Sequence, residues 1–347
     1  MLKARKLDKV KNDKVDIVLP WVDGSDPEWM ERKEQWRAKS SVDYKANTNV
    51  RYESWDNLEY WFRAVEKNLP WFHKIFLLTC GHIPSFLNID HPKLRIVRHE
   101  EYIPQKYLPA FKSRTIELNV HRIPDLSENF ILFNDDFFPL QHIEESYYFK
   151  HNKVCDEAIE GHVVPTYIGD VTANAKYTQV NNLLAINRNF KKREVQKKHF
   201  WKWFYPGYGK LLQRNIMMHY WYDFAGFRDP HMASAMKKET LRKLWVKENE
   251  ALSKTCEKRF RSYTDITQFL IRYWQICEGD FYPRKTLGKS FVVNIDNYKD
   301  IARIIEQQSY QMVSLNENCS TEEFEVIKKE INGALGKVYQ NKSSFEK

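Results

Sequence analysis

The chain has 347 residues, 42% of them hydrophobic and 15% aromatic, with 55 Lys/Arg against 46 Asp/Glu. That content excludes a disordered chain, and 11 Gly with 13 Pro exclude collagen-like or low-complexity sequence. The net charge of +9 is modest for this length, and no window approaches the ~18 consecutive apolar residues of a membrane-spanning helix.

Residues 1–14, with six Lys/Arg against two Asp, read as a basic, flexible lead. No apolar run follows it, so no signal peptide is expected. Val15 to Leu19 is β-branched and apolar and predicts a buried strand. It runs into Trp21-Val22-Asp23-Gly24-Ser25-Asp26-Pro27, where Gly24 permits a sharp turn and Asp26-Pro27 starts a helix over 27–39. Leu58, Trp61, Phe62 and Val65 recur at helical spacing over 56–68, and Leu69-Pro70 ends the run. Residues 74–79 and 94–97 are short strands, and Ser113 is expected to cap a helix carrying Ile116 to Ile123. Phe130 to Phe133 is an apolar strand ending in Asn134-Asp135-Asp136. Strands alternating with helices indicate an α/β fold with a largely parallel sheet.

Residues 150–230 are rich in Asn, Lys and Tyr with weak periodicity and are expected to be an insertion into a single catalytic domain spanning 15–310. Helices are expected at 237–250 and 264–276 and a late strand at 289–296, with 311–347 a polar helix and tail. Cys80, Cys155, Cys256, Cys277 and Cys319 form no paired spacing, which suits reduced thiols in a cytoplasmic protein.

Ligands of open α/β sheets bind beyond the carboxyl ends of strands. Two acidic clusters fall there, Asp23/Asp26 and Asp135/Asp136. The second is either a platform for a divalent metal, whose oxygen ligands such carboxylates supply, or a turn with a helix cap. The run holding Arg188, Lys191, Lys192, Arg193, Lys197 and Lys198, interleaved with Phe190, Phe200 and Trp201, is either a polyanion- or membrane-surface-binding strip or a solvated helix face. No zinc-finger spacing or RNA-recognition motif speaks for nucleic acid. Walker, GxGxxG, HExxH and GxSxG patterns are absent from the sequence.

Taken together the motifs resemble the Stealth family of bacterial capsular and exopolysaccharide phosphotransferases, relatives of the animal N-acetylglucosamine-1-phosphotransferase. Asp16 to Pro27 resembles its first block. Arg51-Tyr52, Arg63 to Trp71, Lys74 to Thr79, Gly81 to Leu87, Leu108 to Glu117 and His121 to Phe137 resemble the second. His231-Met232 through Phe260-Arg261-Ser262 and Asp265-Ile266 resembles the third. The fourth is read at Val293-Asn294-Ile295-Asp296-Asn297, which departs from the Cys-x-Asn-Asp type sequence of the family's last strand.

The resemblance implies a nucleotide-sugar-transferase-like, Rossmann-like layered sheet with a helical insertion. It implies transfer of a hexose-1-phosphate, such as N-acetylhexosamine-1-phosphate, from a UDP-sugar to a sugar hydroxyl, releasing UMP. By family position Glu117, Asp136, His231 and Arg261 match the active-site residues, and Trp21, Asp23, Gly24, Asp26, Arg63 and Ser113 fall to the nucleotide sugar. Asp135, Asp136 and Asp296 would hold Mg²⁺ or Mn²⁺. Either His231 or Glu117 is the base. The acceptor would be a polysaccharide or lipid-linked glycan, and the basic run would meet it, or the anionic inner membrane surface, without a role for nucleic acid. Two other readings remain: a metal-dependent glycosyltransferase releasing UDP, and a non-enzymatic polyanion- or membrane-binding protein.

Overall fold

The computed structural model describes residues 14–39, 54–168, 170 and 172–347. The basic lead through residue 13 and the start of the second block at Arg51-Tyr52 lie outside them. Val15–Pro20 forms strand β1. Its one buried carboxylate, Asp16, is satisfied by the backbone N–H of Ser127 (2.7 Å) and the His73 ring (2.8 Å). Helix α1, Pro27–Ala38, starts as expected, with the Asp26 carboxylate accepting from Trp29 N–H at 2.7 Å and Pro27 in the first turn. Helix α2, Leu58–Asn68, buries Leu58, Trp61, Phe62 and Val65, the stripe its periodicity demanded. Strands β2 (Ile75–Thr79) and β3 (Leu94–Arg98) follow.

Helix α3 is shorter than expected: Ser113–Leu118, followed by a 3₁₀ turn at Val120–Arg122. Ser113 is not its cap. It lies in the first turn, and Lys112 stands at the cap position without a capping side-chain bond. Strand β4, Asn129–Leu132, is entirely buried. A tight turn, closed by the Phe137 N–H on the Asn134 carbonyl, leads from it into β5, Phe137–Pro139.

The expected insertion is mostly helical. After strands β6 (Phe149–Lys150) and β7 (Lys153–Asp156) come α4 (Ala173–Asn189), α5 (Lys192–Lys198), α6 (Phe200–Trp203) and α7 (Leu212–Met218). Strand β8 (Ser234–Lys237), α8 (Lys238–Lys247), α9 (Asn249–Glu257), α10 (Phe269–Glu278), β9 (Phe281–Pro283), β10 (Lys289–Val293) and α11 (Tyr298–Glu306) lead to the last strand, β11 (Met312–Glu317), and α12 (Thr321–Val338).

The largest sheet has the order β3-β2-β1-β4-β8, parallel except for β8. Its strand order therefore reverses between β1 and β4. A second sheet, β10-β11-β5, begins where the turn after β4 ends. The helix and tail expected after residue 311 are present, with α12 burying Phe324, Ile327, Ile331 and Leu335, but a strand precedes them. Met312 to Leu315 is buried strand at the centre of the second sheet. The final residues fold back on the body, with Phe345 fully buried beside Phe62 and Phe72. No helix of the described residues is long and apolar enough to cross a membrane.

Candidate active site

The turn Asn134-Asp135-Asp136 joins the two sheets, and register brings other elements to it. Leu132 of β4 faces Ser234 of β8 across an antiparallel pair. The chain entering β8 therefore passes the same end of the sheet, and His231 Nε2 comes to 3.6 Å from Asp136 Oδ2. The His231 ring also stands edge-on to Phe137, centroids 5.1 Å apart. Its backbone has φ of 48°, a left-handed conformation that L side chains adopt only at a cost of about 1–3 kcal/mol. Such strain persists where surrounding structure enforces it. From the second sheet, the Leu315 N–H donates to the Asp136 carbonyl at 3.1 Å, which sets Asn316 and Glu317 beside the acidic turn.

These residues line a cavity of about 320 Å³ with Trp55, Ser113, Arg114, Glu117, Arg261 and the 267–269 segment. Glu117, Asp136, His231 and Arg261, widely separated in sequence, thus share one cavity, and Ser113 and Asp135 share it with them. Gln268 also lines it, and its buried Oε1 has no hydrogen-bond partner among the described residues. A buried acceptor in that state costs about 1–3 kcal/mol, so a ligand hydroxyl would be welcome there.

A buried ionic cluster holds the wall opposite the acidic turn. Asp265 accepts from Arg114 Nη1 (2.7 Å), Lys112 Nζ (3.0 Å) and the Ser262 N–H (3.0 Å). Arg114 also reaches Asn174 on α4. One carboxylate thereby ties α3, which carries Glu117, to the loop that carries Arg261. Burial pushes the Lys112 amine down to about 8, against the pull of Asp265.

Electrostatics separate Asp135, Glu117 and His231. Desolvation among the cavity walls, then the like charge of Asp136 and that of Glu317, push Asp135 up to about 7, although its side chain still meets solvent. Burial also raises Glu117, although a bond from Ser113 and the charges of Arg114, Arg261 and His231 oppose it. For His231 burial works downward, but the Asp136 carboxylate and Asn316 outweigh it and hold the imidazole above its ordinary value.

Other expected site residues lie elsewhere. Trp21, Asp23, Gly24 and Asp26 cluster at the carboxyl end of β1, outside the cavity lining. The Asp23 N–H donates to His82 Nδ1 (2.9 Å), its carboxylate accepts from the Ser25 N–H and hydroxyl, and Trp21 meets His82 edge-on. Arg63 is not near them. Its guanidinium grips Glu346 with two bonds (2.8 and 2.7 Å) and the Tyr339 carbonyl with a third (2.9 Å), so it clamps the C-terminus to α2.

Asp296 is likewise corrected. It is exposed in the loop after β10 and does not line the cavity. The strand that delivers polar groups is β11, one strand further in, and Ser314-Leu315-Asn316-Glu317 is the closer counterpart of the Cys-x-Asn-Asp pattern. The signal was available as an apolar strand ending in Asn-Glu, but those residues read as the start of a tail.

The basic run is divided. Lys192 is fully buried, paired with Glu160 at 2.7 Å and bonded to the Met218 carbonyl. It is a core cation and unavailable to a polyanion. Arg188 pairs with Glu248, while Lys191, Arg193, Lys197 and Lys198 are exposed.

Among the described residues no three His, Cys, Asp or Glu side chains are arranged as a metal-binding group. The donor set still fits a hard divalent cation. Asp135 and Asp136 hold adjacent carboxylates whose mutual repulsion a cation would relieve, and Asn316 and Glu317 add oxygens. Mg²⁺ typically takes one or two protein carboxylates and completes its shell with water and substrate phosphate.

Residues 13–41 match the family model described as Stealth protein CR1, conserved region 1, and residues 51–157 match Stealth protein CR2, conserved region 2. The capsular polysaccharide phosphotransferase WcwK of Streptococcus pneumoniae is 37% identical over 333 residues, covering 96% of this chain and 99% of its own. The chain belongs to the Stealth family. The exopolysaccharide phosphotransferase cps2G of Lactiplantibacillus plantarum is 34% identical over 336 residues, covering 96% of each chain. The receptor polysaccharide phosphotransferase WefC of Streptococcus oralis is 32% identical over 340 residues, covering 96% of this chain and 99% of its own. This Stealth protein, like them, is a transferase.

Proposed function

We propose that this Stealth protein transfers a hexose-1-phosphate, with N-acetylhexosamine-1-phosphate the first candidate, from a UDP-sugar to a hydroxyl of a growing capsular or exopolysaccharide, releasing UMP. The observation that carries the reading is the meeting of Glu117, Asp136, His231 and Arg261 in one cavity beyond β4. The donor would lie across the crevice between the ends of β1 and β4, where the strand order reverses and where nucleotides bind in Rossmann-like sheets. On this reading the Trp21–Asp26 loop would meet the nucleotide and the acidic turn the diphosphate.

The acceptor oxygen attacks the sugar-linked phosphorus, the bond from that phosphorus to the UMP oxygen breaks, and the hydroxyl proton leaves. His231 takes that proton, since its ring enters the cavity and an imidazole is poised for such transfer near neutrality. Glu117, set among Arg114, Arg261 and His231, orients them. Charge spreads over the phosphoryl oxygens as the bonds exchange, and the Arg261 guanidinium is a planar donor for those oxygens. Mg²⁺ or Mn²⁺ held by Asp135 and Asp136 would neutralise the diphosphate. Gln268 Oε1 is placed to accept from a sugar hydroxyl.

The test is mass spectrometry of products from a panel of UDP-sugars with an acceptor glycan. UMP together with a sugar phosphodiester is the expected result. UDP together with a glycosidic bond would replace this reading with glycosyl transfer at the anomeric carbon. The same reading puts the enzyme in the cytoplasm, working at the inner face of the membrane.

A further inference from the structure

The helical region after α4 carries a surface that the reaction does not use. From Lys197 to Tyr222 the sequence holds five Lys/Arg and no Asp or Glu. The same stretch leaves large apolar side chains in solvent: Trp201 is 78% exposed, Met217 70%, Tyr220 80% and Trp221 56%. Single exposed hydrophobics are ordinary, but a group of them is not.

They share one corner of the molecule. His219 bonds Gln196 of α5 (3.0 Å) and meets the Phe204 ring (5.7 Å). Phe204 stacks on Phe200 (4.8 Å), and Phe200 meets Trp201 (5.3 Å). Arg193 of α5 lies over the Tyr222 ring at 4.3 Å.

The exposure is not a symptom of loose packing. Asn215, fully buried inside α7, bonds the Ala158 and Trp203 carbonyls and accepts from the Glu160 N–H. Trp203 is itself fully buried. The inner side is fixed to the core while the outer side presents rings and cations.

We infer that this face, built on α6, α7 and the turn to Tyr222, docks on an anionic lipid bilayer. The inference rests on the reading above only for work at a membrane, and makes no use of its chemistry. Trp and Tyr have an apolar body and a polar tip and settle at the level of lipid headgroups. Lys and Arg around them are drawn to anionic headgroups. A second copy fits less well, because a two-fold interface would set most of these cations against themselves, with Asp223 and Glu194 at the edge too few to meet them. A polyanionic glycan would use the cations and stack sugar rings on Trp and Tyr, but would leave the aliphatic side chains of Ile216 and Met217 in water.

The full chain is spun with vesicles of phosphatidylglycerol and phosphatidylcholine at a 1:3 ratio (about 25% anionic lipid), and with pure phosphatidylcholine vesicles. Binding to the anionic vesicles is expected to be at least about tenfold tighter and to weaken in high salt. The variant Trp201→Ser/Tyr220→Ser/Trp221→Ser, checked for an unchanged melting temperature, should lose about tenfold or more of that binding, as should Lys210→Glu/Arg214→Glu. Wild type staying in the supernatant, equal binding to both vesicles, or unaltered binding by both variants overturns the inference. So does a concentration-dependent dimer that the aromatic variant abolishes. Nucleotide release with a water-soluble acceptor is measured in parallel. It stays unchanged in both variants, and a failure there with vesicle binding intact tells against the chemistry alone.

Discussion

At the carboxyl end of β1, Asp23 accepts from the Ser25 N–H and hydroxyl, and Asp26 from the Trp29 N–H. At the end of the neighbouring β4, Asp136 faces His231 from the approach to β8, and Asp135 stands beside it, lifted to about 7. In sequence the two ends look alike: an apolar strand, then two acidic residues. They differ in where the partners come from. The carboxylates after β1 accept from groups within three residues of themselves and shape their own loop and helix, with the His82 ring also standing 3.7 Å from Asp26. Those after β4 stand among groups from α3, from the approach to β8, from the loop before α10 and from β11. An acid spent on its own turn stabilises. One whose surroundings are assembled by the fold is in a position to act on something else.

Four experiments would break or sharpen that contrast. The largest effect should follow Asp265→Ala, which strands Lys112 and Arg114 in the interior; losing one partner of a buried pair costs ~3–5 kcal/mol. Urea denaturation showing a loss below ~1 kcal/mol, the scale of an exposed pair, would remove the clamp from this account. Next, Asp136→Asn, His231→Ala and Arg261→Ala should each lower turnover by about 100-fold or more, the scale of a lost base or charge stabiliser, with melting temperature retained. Asp23→Asn, at the other strand end, should raise donor KM more than it lowers kcat. Near-normal turnover of His231→Ala would move the base to Glu117.

Asp26→Ala should cost only about 1 kcal/mol, the worth of an N-cap, as read from thermal melts. A loss of turnover beyond that instability would erase the distinction between the two ends.

The smallest signal is the His231 titration in metal-free protein, followed by NMR. Its pKa should lie above the ordinary histidine value, so the ring loses its proton only as pH rises through that higher point. Asp136→Asn should lower it. An unmoved midpoint would mean that the carboxylate does not govern the ring.

Much of this was legible beforehand, for reasons that can be named. α1 follows from Asp26-Pro27, and α2 from the spacing of Leu58, Trp61, Phe62 and Val65, because capping and amphipathic burial are local. Arg63 was not. A guanidinium reads the same whether it meets a phosphate or the carboxylate of Glu346, 283 positions away. Lys192 sat in a basic run and turned out to be a core cation because Glu160 is buried opposite it. Asn316 and Glu317 were missed because the short apolar run before them reads as part of a tail until β5 and β10 are known to flank it.

The amino-acid order by itself determined the apolar strands, the capped and amphipathic helices and the acidic residues at two strand ends, because each depends on neighbours within a few positions. It also carried the family's blocks. Tertiary structure alone decided which charged groups share a cavity and which are consumed in clamps. A charge acquires its role from the partners and the burial around it, and here those are supplied by segments far along the chain.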